Sequence, residues 1–313
     1  MKLEERKVLL SRSNIFKLLK EWRCKEWWYT GIHDGELKVY ISWYFIRFNL
    51  ADQITLTIFD PAYDNPLQYQ RMMYLDRKQR SDSLNLNFRL NDAMASYSGD
   101  EKQGWKFDFK GGGFAADVII KPTIPFFTKF DNEIVNKYGM FQFSHNRANG
   151  TIKTKNKEYK LNNALGYYDH YFGKIPRNIG WNWLAIQNEK VALASFVNYG
   201  PYGHRYTQAW FANHSDSPRR EEWIRMDQNV SFEQQYTENW SKDWIVSSSD
   251  MELKVTPLMH VTNCFRIPPL IPFIVNLYHT EVFVKAEGRI RVDGHWVKSE
   301  DTWGVMEKHY GKW

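Results

Sequence analysis

The sequence predicts an all-β protein of antiparallel sheets, and three observations carry that expectation. Aromatic residues make up 17% of the 313, with 14 Trp, 18 Tyr and 20 Phe, and such side chains favour pleated surfaces or line cavities. Apolar and polar residues alternate with a period of two in several short runs. These runs follow at short spacing, separated by Gly, Asn, Pro or charged turns, which fits sandwiches or barrels rather than alternating βα units.

Read from the N-terminus, SNIFKLLKEW is the exception to the β pattern. Ile15, Leu18, Leu19 and Trp22 fall at helical spacing, with Ser13 or Asn14 as cap. The expectation is a short helix packed on the body; a membrane-surface helix is the alternative, and its basic stripe is short. LKVYISWYFIRFN and QITLTIF then read as strands. In LNLNFRL, Leu84, Leu86, Phe88 and Leu90 alternate with Asn85, Asn87 and Arg89; in WKFDF, Trp105, Phe107 and Phe109 alternate with Lys106 and Asp108. Gly111, Gly112 and Gly113 mark a turn before the strand FAADVIIK. The second half continues in the same style with WNWLAIQ, VALASFVN, RYTQAWFA, NVSFEQQY, MELKVTP, EVFVKA and GRIRVDG. The polar, turn-rich run NRANGTIKTKNKEYKLNN suggests a boundary near 145–165, giving halves 1–150 and 151–313. No close repeat is visible, though the halves are compatible with a shared architecture.

Hydrophobic residues at 43% and charged residues at 25% are ordinary for a globular chain. The net charge of +6 is spread along the sequence without an arginine-rich run, so nucleic acid is not an expected partner. Cys24 and Cys264 lie far apart and form no metal-ligand spacing. The opening MKLEERKVLL lacks the apolar core of a signal peptide, and CFRIPPLIPFIVNLY is interrupted by three prolines and Arg266. A reduced, cytoplasmic protein is therefore expected, with the sequons at Asn149, Asn213, Asn229 and Asn239 as chance matches. The prolines of PPLIP favour an edge or a loop.

Chemistry concentrates in GYYDHYFGKIPRNIGWNWLAIQ, residues 166–187. Asp169 beside His170 suits acid–base work, and an apolar surrounding would raise the Asp169 pKa until its neutral form donates a proton. Tyr167, Tyr168, Tyr171, Trp181 and Trp183 would supply aromatic walls, and Arg177 a clamp for a ligand or an ion-pair partner for Asp169. The bland alternative is that Asp169 and His170 cap a strand corner and the two tryptophans share a core face. His145 and His204 join the candidates only if the fold brings them near Asp169. HExxH, GxSxG, the Walker loop and GxGxxG are absent, and no histidine spacing suggests a metal.

The opening EWWYTGIHDGELKVYISWYFIRFN and the segment ANGTIKTKNKEYKLNNALGYYDHYFG resemble the carotenoid 1,2-hydratase (hydroxyneurosporene synthase) and tocopherol cyclase superfamily. Gly150, Tyr167, Asp169, His170 and Gly173 fall on its central pattern. Over most of the chain the likeness is to a bacterial branch of unknown function, matched by Asp169, Gly173, Pro176, Arg177, Trp181, Asn182 and Trp183 and by the stretches VTPLMHVTN and WGVMEKHYGKW. The hydratases' His-x-Trp pair has no counterpart, since His145 is followed by Asn146 and Arg147. The resemblance implies two tandem lipocalin-like halves with a few short helices. It also implies Asp169 as the acid–base residue, with Tyr167 in support. The enzyme expected is a hydratase, cyclase or isomerase for a hydrophobic polyene or isoprenoid-like small molecule, with Asp169, His170 and Tyr167 catalytic and Arg177, Trp181 and Trp183 binding substrate. No metal and no cofactor are expected, and peripheral membrane contact is left open. The rival expectation is a lipocalin-like carrier that binds an apolar ligand without chemistry.

Overall fold

The computed structural model describes residues 24–47, 51–74, 85–89, 92–100, 103–122, 124–130, 138–174, 178–199, 205–213, 223–225, 229–234, 240–267, 275–292 and 294–312. The expected N-terminal helix and the PPLIP stretch lie outside these residues. Among the described residues the regular elements are all strands, and no helix is long and apolar enough to cross a membrane.

The first sheet comprises β1 (Cys24–Asp34), β2 (Val39–Arg47), β3 (Ala51–Phe59), β4 (Leu67–Tyr74), β5 (Leu86–Arg89), β6 (Ala93–Asp100), β7 (Gly104–Gly111), β8 (Phe114–Lys121), β9 (Ile124–Phe130), β10 (Tyr138–Lys153) and β11 (Glu158–Lys174). Its order is β4-β3-β2-β1-β11-β10-β8-β7-β6-β5, with β9 also paired to β10. The alternation read from WKFDF holds: Trp105, Phe107 and Phe109 are buried and Lys106 is exposed. One face of this curled sheet closes on an aromatic core. Trp43 stacks on Phe107 with centroids 4.3 Å apart, and Trp105 stacks on Tyr168, also at 4.3 Å.

The second sheet comprises β12 (Asn178–Gln187), β13 (Val191–Tyr199), β14 (Arg205–Asn213), β15 (Trp223–Arg225), β16 (Ser231–Gln234), β17 (Trp244–Ser248), β18 (Met251–Ile267), β19 (Val275–Val292) and β20 (His295–Lys312). Its order is β15-β14-β13-β12-β20-β19-β18-β17-β16. Its core is largely aliphatic, built from residues such as Leu184, Ile186, Leu193, Val282, Val284 and Met306. Two lipocalin-like antiparallel halves thus account for the all-β reading.

The compact units divide at Ile175 and Pro176, with Phe59–Pro66 grouped with the second. The polar run 146–163 lies inside the β10–β11 hairpin, whose turn is closed by Thr154 N–H donating to the Lys157 carbonyl at 2.8 Å. Its polar residues are the water-facing half of an alternation. Lys153 and Lys160 are exposed, whereas Ile152 and Tyr159 are fully buried.

The strand orders expose a repeat that is not visible in the sequence pattern. β1–β4 correspond to β12–β15, and β11, β10, β8, β7 and β6 correspond to β20, β19, β18, β17 and β16. Residues 148–174 align on 286–312 without a gap. Ala148, Gly150, Ile152, Gly166, Gly173 and Lys174 fall on Ala286, Gly288, Ile290, Gly304, Gly311 and Lys312. Backbone irregularities repeat with them: Gly150 and Gly288 have φ of 138° and 156°, and Asn163 and Asp301 have φ of 55° and 52°. Both glycines mark a register shift, and a Cβ on either would run into the carbonyl of Asp117 or Glu252 on the neighbouring strand.

Gly150→Ala and Gly288→Ala should therefore each lower stability by about 1–3 kcal/mol in urea unfolding. Gly35→Ala, where the nearest atom is 3.9 Å away, should stay within about 0.5 kcal/mol of the parent.

Candidate active site

β11 lies between β1 and β10, and its successive side chains point to opposite faces. Register fixes the neighbours. Asp169 pairs with Tyr29 on one side and Gln142 on the other, and Tyr171 pairs with Trp27. Trp27, Tyr29, Gln142, Tyr167, Asp169 and Tyr171 therefore share the face turned away from the aromatic core. His170 pairs with Trp28 on the core side.

On the Asp169 face, aromatic rings crowd the carboxyl. Trp27 stacks on Tyr171 at 3.8 Å, and the Tyr29 ring lies 6.3 Å from that of Tyr167. The Tyr29 and Tyr40 hydroxyls hydrogen-bond at 2.9 Å. Gly31 lets this happen, because a Cβ there would collide with the Tyr40 phenol. Asp169 is 5% exposed. Burial pushes its pKa up to about 7, and hydrogen bonding by the Tyr167 and Trp27 side chains pulls against that rise. Asp169 Oδ1 and Gln142 Oε1 are both buried and lack a hydrogen-bond partner among the described residues.

On the core face, His170 Nε2 lies 3.0 Å from Glu26 Oε1, both side chains being 2% exposed. Trp28 stacks flat on His170 at 4.8 Å, and Arg47 reaches toward Glu26 and Asp52 at 3.9 Å each. A cavity of about 20 Å³ adjoins this cluster, lined by Trp28, Phe45, Arg47, Asp52, Leu86 and Phe88 among others. That is room for about one water molecule and not for a substrate.

The structure thus joins Tyr167 to Asp169 and separates His170 from both, since neighbours along a strand face opposite ways. His170 belongs with Glu26 instead. Trp181 and Trp183 are on β12, in the second unit's sheet. Trp181 stacks on His309 at 3.7 Å, and Trp183 stacks on Phe196 at 5.7 Å. Arg177 and His204 lie outside the described residues. His145 sits at the β10 register shift with φ of 55°, its Nδ1 3.2 Å from Ser144 Oγ. Trp27, Tyr29, Glu26 and Arg47 were not among the sequence candidates. The EWWY run held the signal, because two adjacent tryptophans on a strand must serve two faces.

A candidate AttH (NE1406) from Nitrosomonas europaea is similar in structure over 97% of both chains, with a TM-score of 0.66 and 13% identity. The fold is shared. Kievitone hydratase from Nectria haematococca is similar over 92% of this chain and 89% of its own, with a TM-score of 0.66 and 11% identity. No protein-family model and no curated protein matches the sequence. At such identities the likeness establishes the architecture of two lipocalin-like halves, and the chemistry must be argued from the residues.

The raised Asp169 pKa has a testable sign. The unfolded chain releases this proton near 3.8, and the folded chain holds it to about 7. Between these values the native state binds the extra proton, so stability falls as pH rises and levels off above 7. Asp169→Asn removes the ionisable group and should flatten that slope, raising the melting temperature relative to the parent at pH 8 but not at pH 4. A parent whose stability is independent of Asp169 between pH 4 and 8 would contradict the assignment.

Proposed function

We propose that the Asp169 face is the active site of a hydratase that adds water across a carbon–carbon double bond of a hydrophobic small molecule. One observation carries this reading: the Asp169 carboxyl is buried among aromatic rings, and burial pushes its pKa up to about 7. Such an acid can donate where an exposed one cannot. The kinship in fold with a kievitone hydratase supports the same reaction class.

The chemistry balances on a proton and a water. Protonated Asp169 gives its proton to one alkene carbon, and the electron pair of the double bond forms the new C–H bond. The other carbon becomes cationic, and the ring faces of Trp27 and Tyr29 stabilise it. Water attacks that carbon and loses a proton to the Asp169 carboxylate, with the Tyr167 hydroxyl orienting the carboxyl or relaying the proton. The acid is regenerated and the product is an alcohol. A polyene, an isoprenoid chain or a prenylated aromatic has the required alkene and the required apolar surface.

The test is a panel of such alkenes incubated with the protein in D₂O and screened for products one water heavier. The expected product carries one deuterium on carbon. Its formation should decline as pH rises through about 7, where the acid loses its proton. Asp169→Asn should lower turnover by roughly 100-fold or more while remaining folded. A folded Asp169→Asn protein with full turnover would remove Asp169 from the mechanism.

A further inference from the structure

The internal repeat gives the Asp169 face a counterpart in the second sheet. Glu307 stands where Asp169 stands, by the gapless alignment of 148–174 on 286–312. Trp181 stands where Trp27 stands, because each occupies the position opposite the aromatic ring two residues on, Tyr171 or His309. The contacts repeat as well. Trp181 Nε1 donates to Glu307 Oε2 at 3.5 Å, and Trp181 stacks on His309 at 3.7 Å and 9°, as Trp27 stacks on Tyr171 at 3.8 Å and 14°.

The second copy is richer in acid–base groups. Glu281 takes the place of Gln142, directly opposite Glu307, and His279 takes the place of Met140, directly opposite His309. Asn263 pairs with His279 on the next strand. One row of this face therefore reads Asn263, His279, His309, Trp181, and the adjacent row reads Glu281, Glu307, Trp183. Glu281 is fully buried and His309 is 3% exposed. The imidazoles are uncharged at neutral pH. Burial takes His279 down to about 4 and His309 well below its usual value, with His279 adding to the second shift. A separate observation points to a ligand. Asn263 is 7% exposed, and its Nδ2 has no hydrogen-bond partner among the described residues. A buried amide donor left without an acceptor costs stability unless something else supplies one.

From this face we infer that the second unit holds a ligand site of its own, which takes a neutral aromatic or apolar molecule bearing a hydroxyl or carbonyl. The ligand's oxygen accepts from Asn263 Nδ2, and a hydroxyl there donates to the Glu281–Glu307 carboxyls of the adjacent row. This site stands on the second sheet's residues and does not depend on the reaction assigned to Asp169.

2-Naphthol is a suitable probe, since it is a neutral aromatic alcohol whose excited state gives its proton to a nearby base and then emits as the naphtholate. It is titrated into the full chain at pH 7 and excited beyond the indole band. Saturable binding with naphtholate emission is expected. Asn263→Leu should weaken binding tenfold or more without lowering the melting temperature, because the variant also removes a buried unsatisfied donor. The double variant Glu281→Gln/Glu307→Gln should bind the probe with neutral-naphthol emission, and Asp169→Asn should behave as the parent. Absence of saturable binding, or binding unchanged in a folded Asn263→Leu protein, would overturn the site, as would loss confined to Asp169→Asn.

Discussion

The pairing of β1 with β11 is the contact on which both faces of the first unit depend. It sets Tyr29 against Asp169 and Trp27 against Tyr171 on one side, and Trp28 against His170 on the other. A register slip of one residue would exchange these faces. It would carry Asp169 into an aromatic core with no partner and His170 away from Glu26. Register is therefore also a statement about protonation, because it decides which carboxyl is desolvated and which is paired. Asp169 is left with burial as the dominant influence on its pKa, whereas Glu26 sits beside the His170 ring and within reach of Arg47.

The two clusters show how one strand pair can set a paired carboxyl on one face and a desolvated one on the other. The Glu26–His170 pair is enclosed, stacked under Trp28 and backed by Arg47, an arrangement in which removing one partner strands the other. The Asp169 face has hydroxyls and an indole N–H near the acid, with ring surface on either side. Tyr97 lies on the core side, hydrogen-bonded to Thr30 at 3.2 Å, and burial foremost, with the Asp169 charge adding to it, keeps its phenol protonated.

Much of the fold was legible because period-two alternation reports directly on burial, as in WKFDF; the run 146–163 was not, because its lysines and asparagines read as a polar boundary, whereas it forms the β10–β11 hairpin with Ile152 and Tyr159 buried between them. Asp169 and Tyr167 were legible as neighbours through the same alternation, being two residues apart. His170 was not separable from them by sequence alone, since adjacency reads as proximity until the strand's pleat assigns the faces. Residues such as Glu26, Arg47 and Asp52 meet through strand register between distant segments, and no local pattern encodes that. The repeat escaped for a related reason. Its shared residues are glycines and small apolar positions that specify bulges and turns, while the side chains around them have diverged, Asp169 to Glu307 and Tyr171 to His309.

The most direct measurement is the titration of the Asp169 carboxyl carbon by NMR in aspartate-labelled protein, assigned by its disappearance in Asp169→Asn. One carboxyl resonance should titrate with a midpoint near 7, displaced by burial from the 3.8 of an open chain. A midpoint at the ordinary carboxylate value of about 4 would mean that Asp169 is ionised at neutral pH, and the proton donor on which the hydration mechanism rests would be absent.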